Sequence, residues 1–423
     1  MKILVVGSGG REHAIAHALA RSPQRPELLC APGNPGIRRL ARQVAESQEV
    51  DAVVAAARAE QVDLVVVGPE APLVAGLVDA LTGAGIAAFG PTSAAARLEE
   101  SKTFAKEIML AAGVPTGGHA VVSSVAEGLA AITRYPAVVK FDGLAAGKGV
   151  VIAADEAQAR AALTEMLEAK VFGDGEVFVE EFLDGDEVSL LALCDGVRAI
   201  PLAPARDFKR ALDGDAGPNT GGMGAFSPVP GVDPQTLAQY SATVHQPIVD
   251  ELARRGTPFH GVLYAGLMLT ADGPKVLEYN TRFGDPETQV VLPRLRSDLA
   301  ALMLAAATPG GLEGAQLDVD PRAAVTVVLA SAGYPASASK GDAISGVEAA
   351  GALEDVVVFH AGTDGGAAGR PLVTAGGRVL AVTALGEDLS RARERAYAGA
   401  EAITFDGRQL RGDIALAASQ QSA

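Results

Sequence analysis

KILVVGSGGREHAIAHALA, residues 2–20, determines the fold class of this chain. Residues 2–6 form a short apolar run that predicts a β-strand, and a glycine-rich turn follows at residues 7–10. Residues 11–20 carry apolar side chains at helical spacing, so they predict a helix. Strand, turn and helix in this order favour a parallel α/β sheet with ligands at the carboxyl ends of its strands.

The same alternation continues outward from this unit. Strand-like runs at residues 28–30, 64–67 and 86–89 are separated by helical patterns at residues 50–59 and 73–81. Further strand-like runs occupy residues 137–140, 150–153, 177–182, 187–193, 197–201, 262–269 and 275–279. Runs at residues 323–330, 356–359 and 379–384, before a helix at residues 389–402, predict a separate C-terminal domain. Residues 204–230 are rich in Gly, Pro and Asp and are expected to form a long irregular segment with a function.

Composition excludes several classes of function. The chain has 423 residues, 51 acidic and 35 basic, and a net charge of −16, whereas nucleic acids and anionic membranes need a basic face. No apolar run approaches the roughly 18 residues of a membrane span. Cys30 and Cys194 cannot supply a disulfide framework or a four-thiolate zinc site. We therefore expect a cytoplasmic protein; a monomer is expected, although no pattern in the sequence bears on it.

The first glycine-rich turn does not match a dinucleotide fingerprint. That pattern is G-x-G-x-x-G, and Glu12 stands at its last position; the second strand also lacks an acidic residue for a ribose. Backbone amides at a helix N-terminus still favour an anion such as a monophosphate. A tight turn without a ligand is the alternative.

Residues 143–149, GLAAGKG, resemble a Walker A loop but fail its spacing. Three residues separate the glycines, Gly149 replaces the required Ser or Thr, and strand-like runs lie on both sides. Such a loop predicts a lid whose amides and Lys148 lie over phosphates. Lys140, in the apolar run before the loop, needs an anion because an unpaired buried ammonium is costly. The sequence leaves open whether that anion is a protein carboxylate or a phosphate.

Two oxygen-bearing side chains share one face of a predicted strand. Glu278 and Asn280 are two residues apart, so both project to the same side. Hard oxygen ligands without nearby His or Cys suit Mg²⁺ that bridges phosphates. Arg282 follows and could bind a carboxylate or a phosphoryl oxygen.

Two other segments allow both a functional and a structural interpretation. Five carboxylates lie within residues 180–187 and are either a solvated hairpin end or partners for an adenosine. Residues 207–210 and 218–224 combine charged groups with Gly, Asn and Thr, which suits close approach to a ligand or a flexible surface loop.

These motifs, in this order, resemble the phosphoribosylamine–glycine ligase family, also called glycinamide ribonucleotide synthetases, of purine biosynthesis. The resemblance runs from residue 1 to about residue 414. It is carried by residues 9–14 (GGREHA), 31–34 (APGN), 67–73 (VGPEAPL), 142–149 (DGLAAGKG), 217–224 (GPNTGGMG) and 282–287 (RFGDPE). The ordered set is far more specific than any single motif.

The resemblance implies an ATP-grasp fold in three parts. These are an N-terminal parallel α/β domain (residues 1–100), a two-lobed α+β ATP-grasp domain (residues 101–320, lid lobe about 115–190) and a C-terminal mixed α/β domain (residues 321–423). The implied reaction joins glycine to 5-phosphoribosylamine with ATP, through a glycyl phosphate, and gives the ribosylglycinamide, ADP and phosphate. The implied cofactor beside ATP is Mg²⁺ or Mn²⁺.

The resemblance also assigns residues to each ligand. ATP would meet Lys102, Lys140, Gly147, Lys148, Glu180, Glu181, Phe182, Leu183 and Glu187, and the metal would meet Glu278 and Asn280. The two other substrates would meet Gly9, Gly10, Arg11, Asn34, Glu70, Asp207, Lys209, Arg210, Asn219 and Arg282. Lys140, Lys148, Arg282 and Asp207 are the expected catalytic residues.

Two residues depart from the family pattern, and three rival functions stay open at this point. Phe208 stands where many relatives carry His, and Phe141 replaces a small residue before the lid loop. The rivals are an ATP-grasp ligase or carboxylase for another substrate, a non-catalytic nucleotide-binding regulator, and an NAD-dependent dehydrogenase. The segment Arg11, Glu12 and His13 favours the glycine ligase pattern.

Overall fold

A computed structural model of the chain describes residues 1–142, 149–366 and 369–421. The N-terminal region is a five-stranded parallel sheet in the order β3-β2-β1-β4-β5. Its elements are β1 (Lys2–Gly7), α1 (Gly10–Ala20), β2 (Glu27–Pro32), β3 (Arg42–Gln43), α2 (Val50–Glu60), β4 (Leu64–Val67), α3 (Glu70–Val74), α4 (Leu77–Gly83), β5 (Ala87–Phe89) and α5 (Ser93–Glu100). The predicted parallel α/β unit is therefore confirmed. Its central strands are apolar throughout because both faces of the sheet are covered.

One predicted helix in this region is wrong. Residues 73–81 were expected to be a single helix, and the structure has α3 and α4 with a break between them. Gly76 makes the break, because its φ of 83° lies in the left-handed region that glycine adopts without steric cost.

A small lobe follows the N-terminal sheet. Helix α6 (Lys102–Ala111) leads into it, and the lobe itself comprises β6 (His119–Val122), α7 (Val125–Ala131), β7 (Ala137–Phe141), β8 (Val150–Ala153), α8 (Glu156–Leu163) and β9 (Val177–Glu181). The four strands form an antiparallel sheet in the order β6-β9-β7-β8. The lobe has its own small apolar core, which includes Phe141, Leu163 and Met166.

The next part of the chain builds a second antiparallel sheet and reaches into a third. Elements in this part are β10 (Asp186–Asp195), β11 (Ala199–Pro201), β12 (Arg206–Asp207), β13 (Arg210–Leu212), β14 (Ala216–Asn219), β15 (Gly224–Ser227), α9 (Pro234–Val244), α10 (Gln246–Arg254), β16 (His260–Thr270), β17 (Gly273–Asn280), α11 (Thr288–Val291) and α12 (Leu299–Ala306). The large-lobe sheet has the order β11-β10-β16-β17. Short strands occupy much of residues 204–230, so the expectation of an irregular segment is wrong there.

The C-terminal region completes the third sheet. It contains β18 (Ala323–Ala330), α13 (Val347–Gly351), β19 (Val356–His360), β20 (Thr363–Gly365), β21 (Leu372–Thr374), β22 (Arg378–Gly386), α14 (Leu389–Ala402) and α15 (Leu416–Gln421). The sheet order is β12-β15-β18-β22-β19, so two strands from residues 206–227 pair with the C-terminal ones. One continuous apolar core joins this sheet to the large lobe, which fixes their relative position. No helix among the described residues is both long and apolar enough to cross a membrane.

Candidate active site

A buried carboxylate stands between two lysines in the small lobe. Glu180 is 3% exposed, and its two oxygens form ion pairs with the ammonium groups of Lys106 and Lys140. Burial raises the pKa of Glu180, but the two ammonium groups outweigh burial, so the net pKa lies below its ordinary value. The anion that the sequence required for Lys140 is thus a protein carboxylate in this structure.

A third lysine, Lys102 at the start of α6, lies near this group. The Lys102 Nζ donates to the carbonyl of Phe141 at 3.2 Å. Burial lowers the pKa of Lys102; Asp142 and Glu278 oppose that shift, and the neighbouring Lys140 adds to it. The predicted phosphate-binding Lys140 and the predicted metal-binding Glu278 therefore both lie near Lys102, where the small lobe meets β17; this region is called the cleft below.

Asp142, directly after β7, holds the N-terminus of α6. Its carboxylate accepts from the backbone amide of Lys102 at 2.6 Å, the amide of Thr103 at 3.2 Å and the hydroxyl of Ser101 at 2.9 Å. A carboxylate at a helix N-terminus satisfies amides that have no partner within the helix and complements the helix dipole. The predicted lid residues Gly147 and Lys148 follow this point and lie outside the described residues.

The candidate metal ligands lie side by side on β17. The Asn280 amide nitrogen is 3.5 Å from Glu278 Oε1, and the Arg282 guanidinium donates to Asn280 Oδ1 at 3.3 Å. Within the described ranges, no group of three or more His, Cys, Asp or Glu residues is placed to hold a metal. Two adjacent hard oxygens suit a cation that takes its other ligands from phosphates and water.

Arg282 connects Glu278 and Asn280 to the N-terminal region. Its Nη2 lies 2.8 Å from Glu99 Oε1, and its Nε lies 3.5 Å from Glu70 Oε2. The same Glu70 oxygen lies 4.0 Å from Arg11 Nη2. Burial lowers the pKa of Arg282, but Glu99 and Glu70 outweigh it and the net pKa is raised. Three predicted substrate residues, Arg11, Glu70 and Arg282, are thus brought together.

Carboxylates of the protein occupy the N-terminus of α1. The amide of Gly9 donates to Glu12 Oε2 at 2.6 Å, and the amide of Arg11 donates to Asp285 Oδ2 at 3.3 Å. A Cβ at Gly10 would lie 2.7 Å from Gln289 Nε2, so a larger residue there would have to displace the Gln289 amide. A phosphate predicted at Gly9, Gly10 and Arg11 would share these amides with two carboxylates, and that site stays a prediction.

Asn34 anchors the same turn instead of facing open solvent. Its amide nitrogen donates to the carbonyls of Ser8 and His360, each at 2.8 Å, and its oxygen accepts from the amide of Ile37 at 2.9 Å. The side chain is 3% exposed. Asn34 therefore holds the turn in place, and its predicted contact with substrate is untested.

A further charged cluster joins the large-lobe sheet to β12. Lys209 forms ion pairs with Glu187 and with Asp207 Oδ1, the second at 3.1 Å. Burial lowers the pKa of Lys209, but Asp207 and Glu187 outweigh it and the net pKa lies well above its ordinary value. Burial, followed by Asp207, raises the pKa of Glu287 to about 7. Ser189 donates to Glu287 Oε1 at 3.0 Å.

Other predicted residues lie at the edge of the cleft or away from it. Glu181 pairs with Arg134 at 2.5 Å, and the carbonyl of Phe182 accepts from the same guanidinium at 3.4 Å, while Leu183 is buried. Arg210 donates to the carbonyl of Gly217 at 2.8 Å within the hairpin that it forms with the strand of Asn219. Among the residues that the structure describes, the Arg210 and Asn219 side chains make no hydrogen bond or ion pair with the clusters above, and their substrate roles stay predictions.

The two departures from the family pattern are both structural. Phe208 has its ring centroid 6.1 Å from that of Phe226, and the Arg411 guanidinium carbon lies 4.9 Å over it. It packs against the core, whereas Asp207 and Lys209 meet each other in the charged cluster. Phe141 packs on Phe172 in the small-lobe core, with ring centroids 5.6 Å apart.

Sequence reasoning missed four charged positions of this site: Lys106, Glu99, Asp285 and Arg378. Lys106 lies one helical turn after Lys102, and that spacing on one helix face was an available signal. Asp285 accepts from Gln289 at 2.8 Å and pairs with Arg378 at 3.3 Å, which links the RFGDPE segment to the C-terminal sheet. No local pattern marks Glu99 or Arg378, because their partners are distant in the chain.

Two lobes that place lysines and oxygen ligands around one cleft, beside a parallel α/β domain, define an ATP-grasp enzyme. Models of the phosphoribosylglycinamide synthetase N domain, ATP-grasp (A) domain and C domain match residues 1–99, 100–288 and 324–417. The chain belongs to the phosphoribosylglycinamide synthetase family. The resemblance read from the motifs and the three-part ATP-grasp fold are therefore confirmed.

Individual relatives are similar to this chain along its whole length. The chain is 52% identical to a phosphoribosylamine–glycine ligase of Streptomyces coelicolor, over 99% of this chain and 100% of the relative. It is similar to the crystal structure of the phosphoribosylamine–glycine ligase of Thermotoga maritima, with a TM-score of 0.83, 34% identity and coverage of 98% and 100%. The biotin carboxylase domain of the Hydrogenobacter thermophilus 2-oxoglutarate carboxylase, 16% identical with a TM-score of 0.69 over 97% and 91%, shares the fold alone.

Proposed function

We propose that this chain joins glycine to 5-phosphoribosylamine at the expense of ATP, in purine biosynthesis. The observation that carries the proposal is that Lys102 lies near both Lys140 and Glu278, because this combines cations for a triphosphate with an oxygen ligand for its metal. The relatives that cover the whole chain support the choice of substrates.

The chemistry requires activation of the glycine carboxylate, since its oxide is a poor leaving group. The γ-phosphoryl group moves from ATP to a carboxylate oxygen, and ADP leaves. The ribosylamine nitrogen then bonds to the carbonyl carbon, phosphate leaves, and the nitrogen loses a proton. Phosphoryl transfer depends on positioning and charge neutralisation more than on a covalent nucleophile.

Each cluster has a role in this proposal. Lys102 and Lys140 neutralise the phosphates, with Lys148 and Gly147 expected above them. Glu278 and Asn280 would hold Mg²⁺, or Mn²⁺, which would supply charge neutralisation at the phosphates when bound. Glu180, Glu181, Phe182, Leu183 and Glu187 would border the adenosine.

The ribosylamine and glycine would bind at the N-terminal sheet and at the charged cluster around Lys209. Arg11 and Glu70 would face the ribosylamine, near the turn of Gly9, Gly10 and Asn34. Arg282 lies between Glu70 and Asn280, so it would neutralise the acyl phosphate as charge develops there. Asp207 would orient the glycine ammonium, with Lys209, Arg210 and Asn219 nearby in the chain.

A phosphate-release assay with ATP, glycine and freshly made phosphoribosylamine tests the proposal. Omission of any one of the three should reduce release to background. ATP turnover with bicarbonate and none with glycine would point instead to a carboxylase. Binding of ATP without any glycine-dependent product would point to a nucleotide-binding regulator.

A further inference from the structure

The inference concerns Lys106, a residue outside the family-derived assignments. Its side chain is 3% exposed, against 12% for Lys140, and both ammonium groups pair with the one carboxylate of Glu180. The group of two lysines and one glutamate therefore has a net charge of +1. Lys140 is the more accessible of the two lysines, and it lies near Lys102.

The two lysines belong to different parts of the molecule. Lys106 is on α6, whose residues Ala105, Ile108 and Met109 are buried in the core of the large lobe. Its Nζ donates to Thr116 Oγ1 at 2.5 Å, and that hydroxyl donates to the carbonyl of Val276 on β17 at 2.7 Å. Lys106 is thereby tied to the large lobe, whereas Lys140 and Glu180 lie on β7 and β9 of the small lobe.

The difference matters when a triphosphate enters the cleft. If Lys140 turns towards a phosphate, it shares or releases one oxygen of Glu180. Without Lys106, that movement would leave a carboxylate that is 3% exposed with no cation, and an unpaired buried charge is strongly destabilising. With Lys106 on the other oxygen, the carboxylate remains paired, so the movement of Lys140 costs much less.

We propose that Lys106 is a positioning residue of the nucleotide site: it neutralises Glu180 and so makes Lys140 available to the triphosphate. The inference rests on the proposed function for the role of Lys140. It assigns to Lys106 no contact with ATP. Burial lowers the pKa of Lys106 and Glu180 opposes that shift, which agrees with a lysine whose charge depends on this carboxylate.

Binding of Mg²⁺ with a non-hydrolysable ATP analogue, measured by calorimetry, tests the inference. We expect Lys106→Met to weaken binding by about tenfold, the usual size of coupling between neighbouring sites. In a Glu180→Gln background, Lys106→Met should weaken binding far less than tenfold, because no unpaired charge remains. Lys170→Met is the matched control, since Lys170 is an exposed lysine of the small lobe that pairs with Asp174.

The outcomes separate the inference from the proposed function. A wild-type protein that does not bind the analogue would contradict the proposed function. Wild-type affinity in Lys106→Met, or the same tenfold loss in the Glu180→Gln background, would overturn the inference and leave a purely structural role. If Lys106→Met alone does not fold, Glu180→Gln and the double variant decide: both should fold and bind with similar affinity, and a clear further loss of binding in the double variant would overturn the inference.

Discussion

Asn34 Nδ2 donates to the carbonyl of His360, 2.8 Å away, although the two residues are 326 positions apart. The bond ties the turn after β2 to the end of β19, so the C-terminal region supports the turn that bears Gly9. A second bond runs back across the same contact, from the amide of His360 to His13 Nδ1 at 2.8 Å. The N-terminal sheet and the C-terminal region thus position the candidate ribosylamine site together.

Removal of this anchor should affect both stability and one substrate. Asn34→Ala leaves two carbonyls and one amide without a partner, so the free energy of unfolding should fall by about 3 kcal/mol. The KM for phosphoribosylamine should rise more than the KM for ATP, because the Gly9 turn loses its support. Urea denaturation and initial rates check the two effects. Gln235→Ala, at an exposed amide, should change neither.

A larger side chain at Gly36 tests the packing between the N-terminal sheet and the C-terminal region. A Cβ at Gly36 would lie 2.3 Å from His13 Cε1 and 2.7 Å from His360 Cδ2, both on buried rings. Gly36→Ala should therefore lower the free energy of unfolding by about 2 kcal/mol or more, as overpacking of a core does. Thermal denaturation measures the change.

Gly83→Ala is the matched substitution. Gly83 is the last residue of α4, and a Cβ there would meet nothing within 4 Å. Alanine in a helix is favoured over glycine, so this variant should be neutral or more stable by about 0.5 kcal/mol. Equal losses in the two variants would mean that the contact of Gly36 with the histidines does not limit packing.

The sequence predicted elements better than it predicted partners. The alternation around residues 2–89 was enough for the parallel sheet, because apolar runs and glycine turns are local signals. Lys140 could be seen to need an anion, but its partner depends on register: Val138 is opposite Glu180 and Lys140 is opposite Phe178. That diagonal relation places Lys140 and Glu180 on one face of the sheet and cannot be read from either strand alone.

The secondary-structure predictions were wrong where a backbone conformation or a distant strand partner, and not the local composition, determined the structure. Gly76 divided a helix whose apolar spacing was continuous. Residues 224–227 were expected to be irregular, but β15 pairs with β18, about 100 residues later, and strand partners at that separation leave no local trace. The individual ligand contacts remain predictions, since they rest on the family resemblance.

Loss of the paired oxygen ligands should abolish turnover and leave the fold intact. Glu278 and Asn280 lie on the cleft side of β17, and Glu278 is exposed, so neither supports the core. Glu278→Ala and Asn280→Ala should each reduce phosphate release by about a hundredfold or more, as loss of one site of charge stabilisation does. Melting temperatures should stay near that of the wild type.

A substitution elsewhere on the same hairpin serves as the control for Glu278→Ala and Asn280→Ala. Asp272→Ala removes an exposed carboxylate in the turn between β16 and β17 and should leave the rate unchanged. Normal turnover in both Glu278→Ala and Asn280→Ala would remove the metal assignment. A large fall in melting temperature would instead make their role structural.

Glu287 should make stability depend on pH in a defined window. Its pKa is raised from 4.5 to about 7, so between these values the folded protein holds a proton that the unfolded chain has released. Stability contributed by this group is therefore full below pH 4.5 and falls as pH rises to about 7, by up to about 3 kcal/mol. Glu287→Gln removes this dependence and keeps an oxygen that can accept from Ser189.

Urea denaturation of both proteins from pH 4.5 to 8 measures the difference. The free energy of unfolding of Glu287→Gln should increase relative to that of the wild type as pH rises, and this difference should level off above pH 7. Asp207 is the second cause of the raised pKa after burial, so Asp207→Asn should shift the upper end of the window to lower pH. The free energies of unfolding of wild type and Glu287→Gln could instead differ by the same amount at every pH from 4.5 to 8. Glu287 would then be ionised throughout that range, and Lys209 would stabilise the carboxylates of both Glu287 and Asp207 as anions.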